Sequence, residues 1–240
     1  MNLTIDVGNT LMKVALFENY EEKNFYSLEK RDLVFFEKLF SVNKIEHGIL
    51  CSVREQDDEL INFLRSKISL LEMNSQVKLP IKILYENQEA LGADRLALAC
   101  GASFQYPQKN VLVIGCGTCI TIDFVNEKQE YIGGSISPGV EMRLKAMNHF
   151  TAKLPLLEIS SSKNFIGRNT EQAMLSGAVN GAAAELDGMI SLYKKYFSNL
   201  EVILTGGNTD LLLPKLESKI FADSKFLLHS LNKILLLNAL

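Results

Sequence analysis

The sequence predicts an α/β protein built of two similar halves, each a mixed sheet flanked by helices, facing one another across a cleft. Three observations carry this expectation. Short apolar runs alternate with longer segments of helical periodicity along the whole chain. A strand that ends in a glycine-and-threonine turn and resumes as a second strand occurs twice, at Asp6-Val7-Gly8-Asn9-Thr10 and at Gly115-Cys116-Gly117-Thr118. The 240 residues exceed one domain of about 150 and fall short of two. That length suits two small halves, residues 1–108 and 109–240, sharing one ligand cleft.

The first half opens on Leu3 to Ile5, turns at Gly8-Asn9-Thr10, and resumes an apolar pattern from Leu11 to Phe17, which reads as a hairpin. Asn24 to Leu28 suits a third strand. Leu33, Phe36, Leu39 and Phe40 share one face of a helix. Ile49 to Val53 reads as a buried strand, Glu55 to Ile68 as an amphipathic helix, and Ile81 to Tyr85 as a further strand. Ala93 to Gln105 is a helix rich in small residues. Pro107 to Asn110 marks a boundary, after which the pattern restarts. Val111 to Ile114 is a strand, Ile120 to Phe124 its partner, and Tyr131 to Ile136 pairs beyond a turn at Asn126 to Gln129. A helix starts near Pro138 and runs through Met142 to His149. A loop with Pro155 and Ser160-Ser161-Ser162 leads to a long helix, Thr170 to Phe197. Val202 to Leu204 is a strand into Thr205-Gly206-Gly207, followed by helices at Asp210 to Leu216 and Ser224 to Leu237.

Composition narrows the function classes. With 47% hydrophobic and 22% charged residues the chain can offset its ordering entropy, so disorder is not expected. The formal charge is -3, from 25 basic and 28 acidic residues, and no basic run reaches five, so no nucleic-acid surface is expected. Mild acidity still leaves room for an anionic small ligand, because turn amides and a metal bind one locally. No apolar stretch approaches the length of a membrane span. The N-terminus carries no basic region and meets a charge at Asp6, which argues against a signal peptide. The four cysteines are too few for a disulfide framework in a chain this size, and a cytoplasmic location fits.

Asp6 to Thr10 with Lys13 is the sharpest local signal. A turn of Gly8, Asn9 and Thr10 can present successive backbone N–H groups to a phosphate. Gly8 allows close approach and Asn9 tolerates a left-handed conformation. Asp6 could hold a hydrated Mg²⁺ and Lys13 could neutralise phosphate charge. The same residues also suit an ordinary hairpin. Gly115 to Thr118 offers the same turn from the second half, and Thr205-Gly206-Gly207-Asn208 a bare backbone against which a nucleoside could lie. Gly92-Ala93-Asp94-Arg95 opens a helix. Asp94 there suits a proton acceptor and Arg95 an anion partner, though the two also suit a salt-bridged helix start. Cys116 and Cys119 have the spacing of half a zinc site, with no second pair to complete it. His47, His149 and His229 are scattered and read as structural.

The order of these turns resembles the phosphate 1, phosphate 2 and adenosine motifs of the actin-like (acetate and sugar kinase/Hsp70/actin) superfamily, whose domains are ribonuclease H-like. Gly92 to Arg95, with Tyr85 upstream and Thr170 downstream, makes the chain similar to type III pantothenate kinases. The resemblance also runs through Gly133-Gly134-Ser135-Ile136-Ser137-Pro138-Gly139 and Gly177. It implies ATP-dependent phosphorylation of pantothenate to 4′-phosphopantothenate, the entry to coenzyme A synthesis, with Asp94 as the base. It implies that Asp6, Val7, Gly8, Asn9, Thr10, Leu11, Met12, Lys13 and Thr118 handle ATP. Tyr85, Gly92, Ala93, Asp94, Arg95 and Thr170 would line the pantothenate site. It further implies Mg²⁺, a monovalent cation (potassium or ammonium) and a homodimer. One position departs: the family's second motif begins with Asp, which helps bind the monovalent cation, where this chain has Gly115. The next carboxylate, Asp123, stands eight residues on. Two alternatives remain open, a catalytically weakened nucleotide-binding regulatory protein of the same fold and a kinase for another small hydroxylated acid.

Overall fold

Leu3, Thr4 and Ile5 are all fully buried, so the first strand is covered on both faces, as a central strand must be. In the computed structural model, which describes residues 1–29, 31–53, 58–161 and 164–238, this strand is β1 (Asn2–Val7). It is followed by β2 (Met12–Glu18), β3 (Glu21–Leu28), α1 (Leu33–Val42), β4 (His47–Ser52), α2 (Asp58–Lys67) and β5 (Ser69–Glu72). Then come β6 (Lys82–Ile83), α3 (Ala93–Gln105), β7 (Asn110–Cys116), β8 (Cys119–Val125), β9 (Glu130–Pro138) and α4 (Val140–Phe150). The chain ends with α5 (Thr170–Tyr196), β10 (Leu200–Thr205), α6 (Thr209–Leu212), a 3-10 turn at Leu213–Lys215, β11 (Phe221–Ala222) and α7 (Phe226–Asn238).

These elements group into two units. The first comprises residues 1–107, 129–131 and 225 onward; the second comprises 108–128 and 132–224. The sequence alone divides the chain at 108/109 and leaves α7 in the second half.

In the first unit the strand order is β3-β2-β1-β4-β5. β1 and β2 are antiparallel with Asp6 opposite Lys13, and β1 and β4 are parallel with Asp6 opposite Cys51. Phe36 and Leu39 of α1 and Leu60, Ile61 and Leu64 of α2 pack on Leu3, Ile5, Val14 and Leu16. The Asp32 side chain caps α1 by accepting the Phe35 N–H at 3.1 Å. On α7, Phe226, Leu228, Leu231, Ile234 and Leu235 are buried, and the helix contacts α3, β1 and β4. Gly101 permits the α3–α7 approach: a Cβ there would sit 1.9 Å from Ser230 Oγ and 2.9 Å from Phe226. Glu22 of β3 ties in α7 through Lys225 at 2.5 Å and His229 at 3.1 Å. The short β6 pairs in parallel with Glu130 and Tyr131.

In the second unit the strand order is β11-β10-β7-β8-β9. β7 and β8 are antiparallel with Gly115 opposite Thr121, and β7 and β10 are parallel with Gly115 opposite Thr205. Counted outward from the first strand, this repeats the first unit's order, and Gly115 occupies the sheet position that Asp6 occupies there. Leu112, Ile114, Ile120, Ile122 and Leu204 pack against Val140 and Leu144 of α4 and Ala178, Val179, Ala182, Leu186 and Ile190 of α5. Asn169 caps α5 by accepting the Gln172 N–H at 2.9 Å, while Gln172 Oε1 accepts the Arg168 N–H at 3.0 Å.

Several boundaries differ from expectation. β3 starts at Glu21 rather than Asn24; as an edge strand it carries exposed polar residues that hide its alternation. β5 and β11 are not expected from sequence, and β6 is only two residues of the Ile81–Tyr85 run. Pro138 closes β9, and α4 begins at Val140 after Gly139. Residues 55–57 of the expected second helix and Ser162 of the serine cluster lie outside the described residues.

Candidate active site

The first unit gathers the carboxylates. Asp6, the residue before the last of β1, is half-buried between Lys13 across the antiparallel pair and Cys51 across the parallel one. Burial raises its pKa, Lys13 opposes this, and the Asp94 charge adds to it, for a net rise to about 6. The Cys51 thiol is pushed well up by burial and then by Asp6 and Asp94. Asp6, Lys13, Cys51 and Asp94 thus form one electrostatic cluster. Sequence reading does not find Cys51; only the parallel pairing of β1 with β4 brings it there.

Asp94 lies in the first turn of α3, half-buried, where the free N–H groups of a helix start favour a carboxylate. Its Oδ1 accepts the Arg95 N–H at 2.8 Å. A Cβ at Gly92 would stand 2.7 Å from that same Oδ1, so a side chain there would displace the Asp94 carboxylate. Arg95 is buried, and its guanidinium lies 5.8 Å over the Tyr85 ring. Tyr85 meets Tyr131 at 6.0 Å between ring centroids. Of the residues expected to line a substrate site, Tyr85, Gly92, Ala93, Asp94 and Arg95 are therefore local to one another. Thr170 lies in the second unit, exposed at the first position of α5.

The hairpin tip differs in detail from expectation. The Gly8 N–H donates to the Leu11 carbonyl at 3.0 Å and so closes the turn. A Cβ at Gly8 would approach Leu11 O to 3.1 Å, a contact within the hairpin itself. Asn9 is not left-handed: positive φ among the described non-glycine residues occurs at Asn19, Gln108, Gln129 and Asn199. Asn9, Thr10 and Leu11 are exposed, Val7 and Lys13 half-buried and Met12 buried.

The second unit gathers three glycine turns. The Gly117 N–H donates to Cys119 O at 3.0 Å, closing the β7–β8 turn with Thr118 exposed at its tip. Gly139 N–H donates to Thr118 O at 3.1 Å, and Asn208 N–H to Cys116 O at 3.0 Å. Gly139 stands so close that a Cβ would lie 2.3 Å from Gly117 O and 2.5 Å from Thr118 O. Gly206 has φ +101° and would bring a Cβ 2.4 Å from Cys116 O. Cys116 is fully buried among the core residues and its thiol is pushed up to about 12, so it offers no ready thiolate.

For a hard divalent cation the Asp6 carboxylate, with Asp94 nearby, is the right donor chemistry. Gly115 offers a monovalent cation no side-chain oxygen. Asp123 stands opposite Val113, two residues along β7 from Gly115 and on the same face, and is fully buried. Among the described residues no group of three or more His, Cys, Asp or Glu is arranged to hold a metal.

Comparison with known proteins adds the family. A family model for type III pantothenate kinase matches residues 2–192. A type III pantothenate kinase of Christiangramia forsetii is 44% identical over 242 aligned residues, covering 99% of both chains. The chain belongs to the type III pantothenate kinase family. Two solved structures share the fold of this family member. A Campylobacter jejuni protein described as a Baf family transcriptional activator aligns at TM-score 0.62 and 20% identity, over 99% of this chain and 98% of that one. A ROK family glucokinase of Streptomyces griseus, solved with glucose and AMPPNP, aligns at TM-score 0.53 and 12% identity, over 98% and 99%. At these identities the likeness concerns the mixed α/β, ribonuclease H-like fold alone. None of these findings favours the regulatory reading over the kinase.

Proposed function

We propose that this chain transfers the γ-phosphoryl group of ATP to pantothenate, giving 4′-phosphopantothenate and ADP. The observation that carries the reading is Asp94, held at the start of α3 beside Asp6 and next to the Tyr85–Arg95 pair, in a chain of this family. Asp94 accepts the proton of the primary hydroxyl as that oxygen attacks the γ-phosphorus, and the bond from phosphorus to the ADP oxygen breaks. Lys13 and the tip from Asp6 to Met12, with Thr118, hold the triphosphate. Tyr85, Gly92, Ala93 and Thr170 line the place of pantothenate, and Arg95 pairs with its carboxylate. Asp6 would hold Mg²⁺, which when bound would neutralise phosphate charge.

The reading carries a homodimer and a cytoplasmic location with it. Its support is that α5 leaves Gly177 and Gly181 with open space before them, that Phe150 and Phe165 are 81% exposed, and that no described helix is long and apolar enough to cross a membrane. The test of function is ADP release by purified protein with ATP and Mg²⁺, with and without potassium, over a panel of hydroxylated acids. Release that depends on pantothenate above the other acids is expected. Release indifferent to pantothenate contradicts the reading.

A further inference from the structure

Ser137, Arg143 and Glu185 come from β9, α4 and α5, and meet beside the second glycine turn. Glu185 Oε1 accepts the Ser137 hydroxyl at 2.5 Å, and its Oε2 pairs with Arg143 Nη2. Arg143 Nε donates to the Pro138 carbonyl at 2.8 Å. Burial pushes Glu185 up, but the hydrogen bonds from Arg143 and Ser137 outweigh it and leave the carboxyl below its ordinary range, so it stays ionised. Ser137 and Pro138 are therefore gripped by side chain and by backbone at once. The next residue is Gly139, whose N–H holds the Thr118 carbonyl at 3.1 Å. Its missing Cβ leaves no slack, since one would lie 2.3 Å from Gly117 O. A shift of the Ser137–Gly139 segment must move the Gly117–Thr118 turn with it.

We propose that Glu185 and Arg143, with Ser137, are positioning residues that set the Gly117–Thr118 turn through Pro138 and Gly139, and so govern affinity for the nucleotide. This rests on the reading of Thr118 as an ATP contact. A cluster that merely fastened α4 to α5 would affect stability and both substrates alike. A positioning cluster affects ATP selectively, because small displacements of a phosphate-binding turn are costly.

The test uses full-length Glu185→Gln, Arg143→Lys and Ser137→Ala, with ATP binding measured by calorimetry and KM measured separately for ATP and pantothenate. Glu185→Gln keeps the volume and one acceptor, and Ser137→Ala is milder still, so folded variants remain for comparison. The dissociation constant and KM for ATP should rise about tenfold for Arg143→Lys, which loses the fork to Glu185 and Pro138. The KM for pantothenate should stay within about twofold. Unaltered ATP affinity in all three variants, or equal weakening toward both substrates, overturns the inference while wild-type binding stands. A wild-type chain that binds no ATP overturns the reading of Thr118, and the inference with it.

Discussion

At Asp6 burial and the Lys13 charge pull against each other. Its carboxyl titrates near 6 when folded, against about 3.9 unfolded. Between those values the folded chain holds more proton than the unfolded chain, so stability falls as pH rises from about 4 to about 6. Above that window the ionised form costs on the order of 2 kcal/mol, allowing for partial solvent access. In metal-free protein Asp6→Asn should therefore melt higher than wild type at pH 7.5, with the gain shrinking toward pH 4. A gain that does not change with pH would contradict the assignment. Asp94 makes the opposite kind of prediction. Asp94→Asn keeps the shape of the α3 start and should lose about 10²- to 10⁴-fold in kcat while ATP still binds. Cysteine labelling separates the thiols. Cys51, Cys100 and Cys116 are buried, with thiols pushed up by desolvation, and Cys119 is half-buried. Mass spectrometry after brief native alkylation should find modification at Cys119 first. Equal labelling of Cys116 would show that the turn opens readily.

At the scale of elements, the glycine turns of the second unit should be the least forgiving. Gly139→Ala meets two backbone carbonyls rather than a movable side chain, so a cost of about 1–3 kcal/mol is expected, with loss of ATP affinity beyond it. A melting curve and an ATP titration measure the two effects; an unchanged titration would detach Gly139 from the nucleotide site. Legibility in the sequence also varied by element. α3 runs over Ala93–Gln105 as its pattern indicates, because Gly92 and Asp94 punctuate its start. β5 follows α2 after one residue, and its four residues are too few to show an alternation of their own. β11 is two residues long and leaves no period to detect. Asp94 and the Gly117–Thr118 turn stand in local motifs, whereas Tyr85 is named only through the family resemblance. Cys51, Arg143 and Glu185 reach their partners only through sheet register and helix packing, which a single sequence does not display.

At the scale of the molecule, the doubled strand-turn-strand opening proves to be a doubled sheet order, with Gly115 standing where Asp6 stands. α7 escapes that pattern: it closes the first unit from the far end of the chain, burying five large apolar side chains there. A chain ending at Ser224 should lose the cooperative melting of its first unit, and full retention of the wild-type transition would contradict this packing. Gly115→Asp adds a carboxylate at the position where the resemblance implies a monovalent-cation ligand. A potassium-dependent rise in rate is expected, and equal rates would show the position to be dispensable. The most direct measurement is phosphorus NMR of the products formed from ATP and pantothenate by wild type and by Asp94→Asn at equal ATP occupancy. The account predicts a phosphomonoester on pantothenate with wild type and almost none with Asp94→Asn. Equal product from both would contradict Asp94 as the proton acceptor, and no pantothenate phosphoester from wild type would contradict the proposed reaction itself.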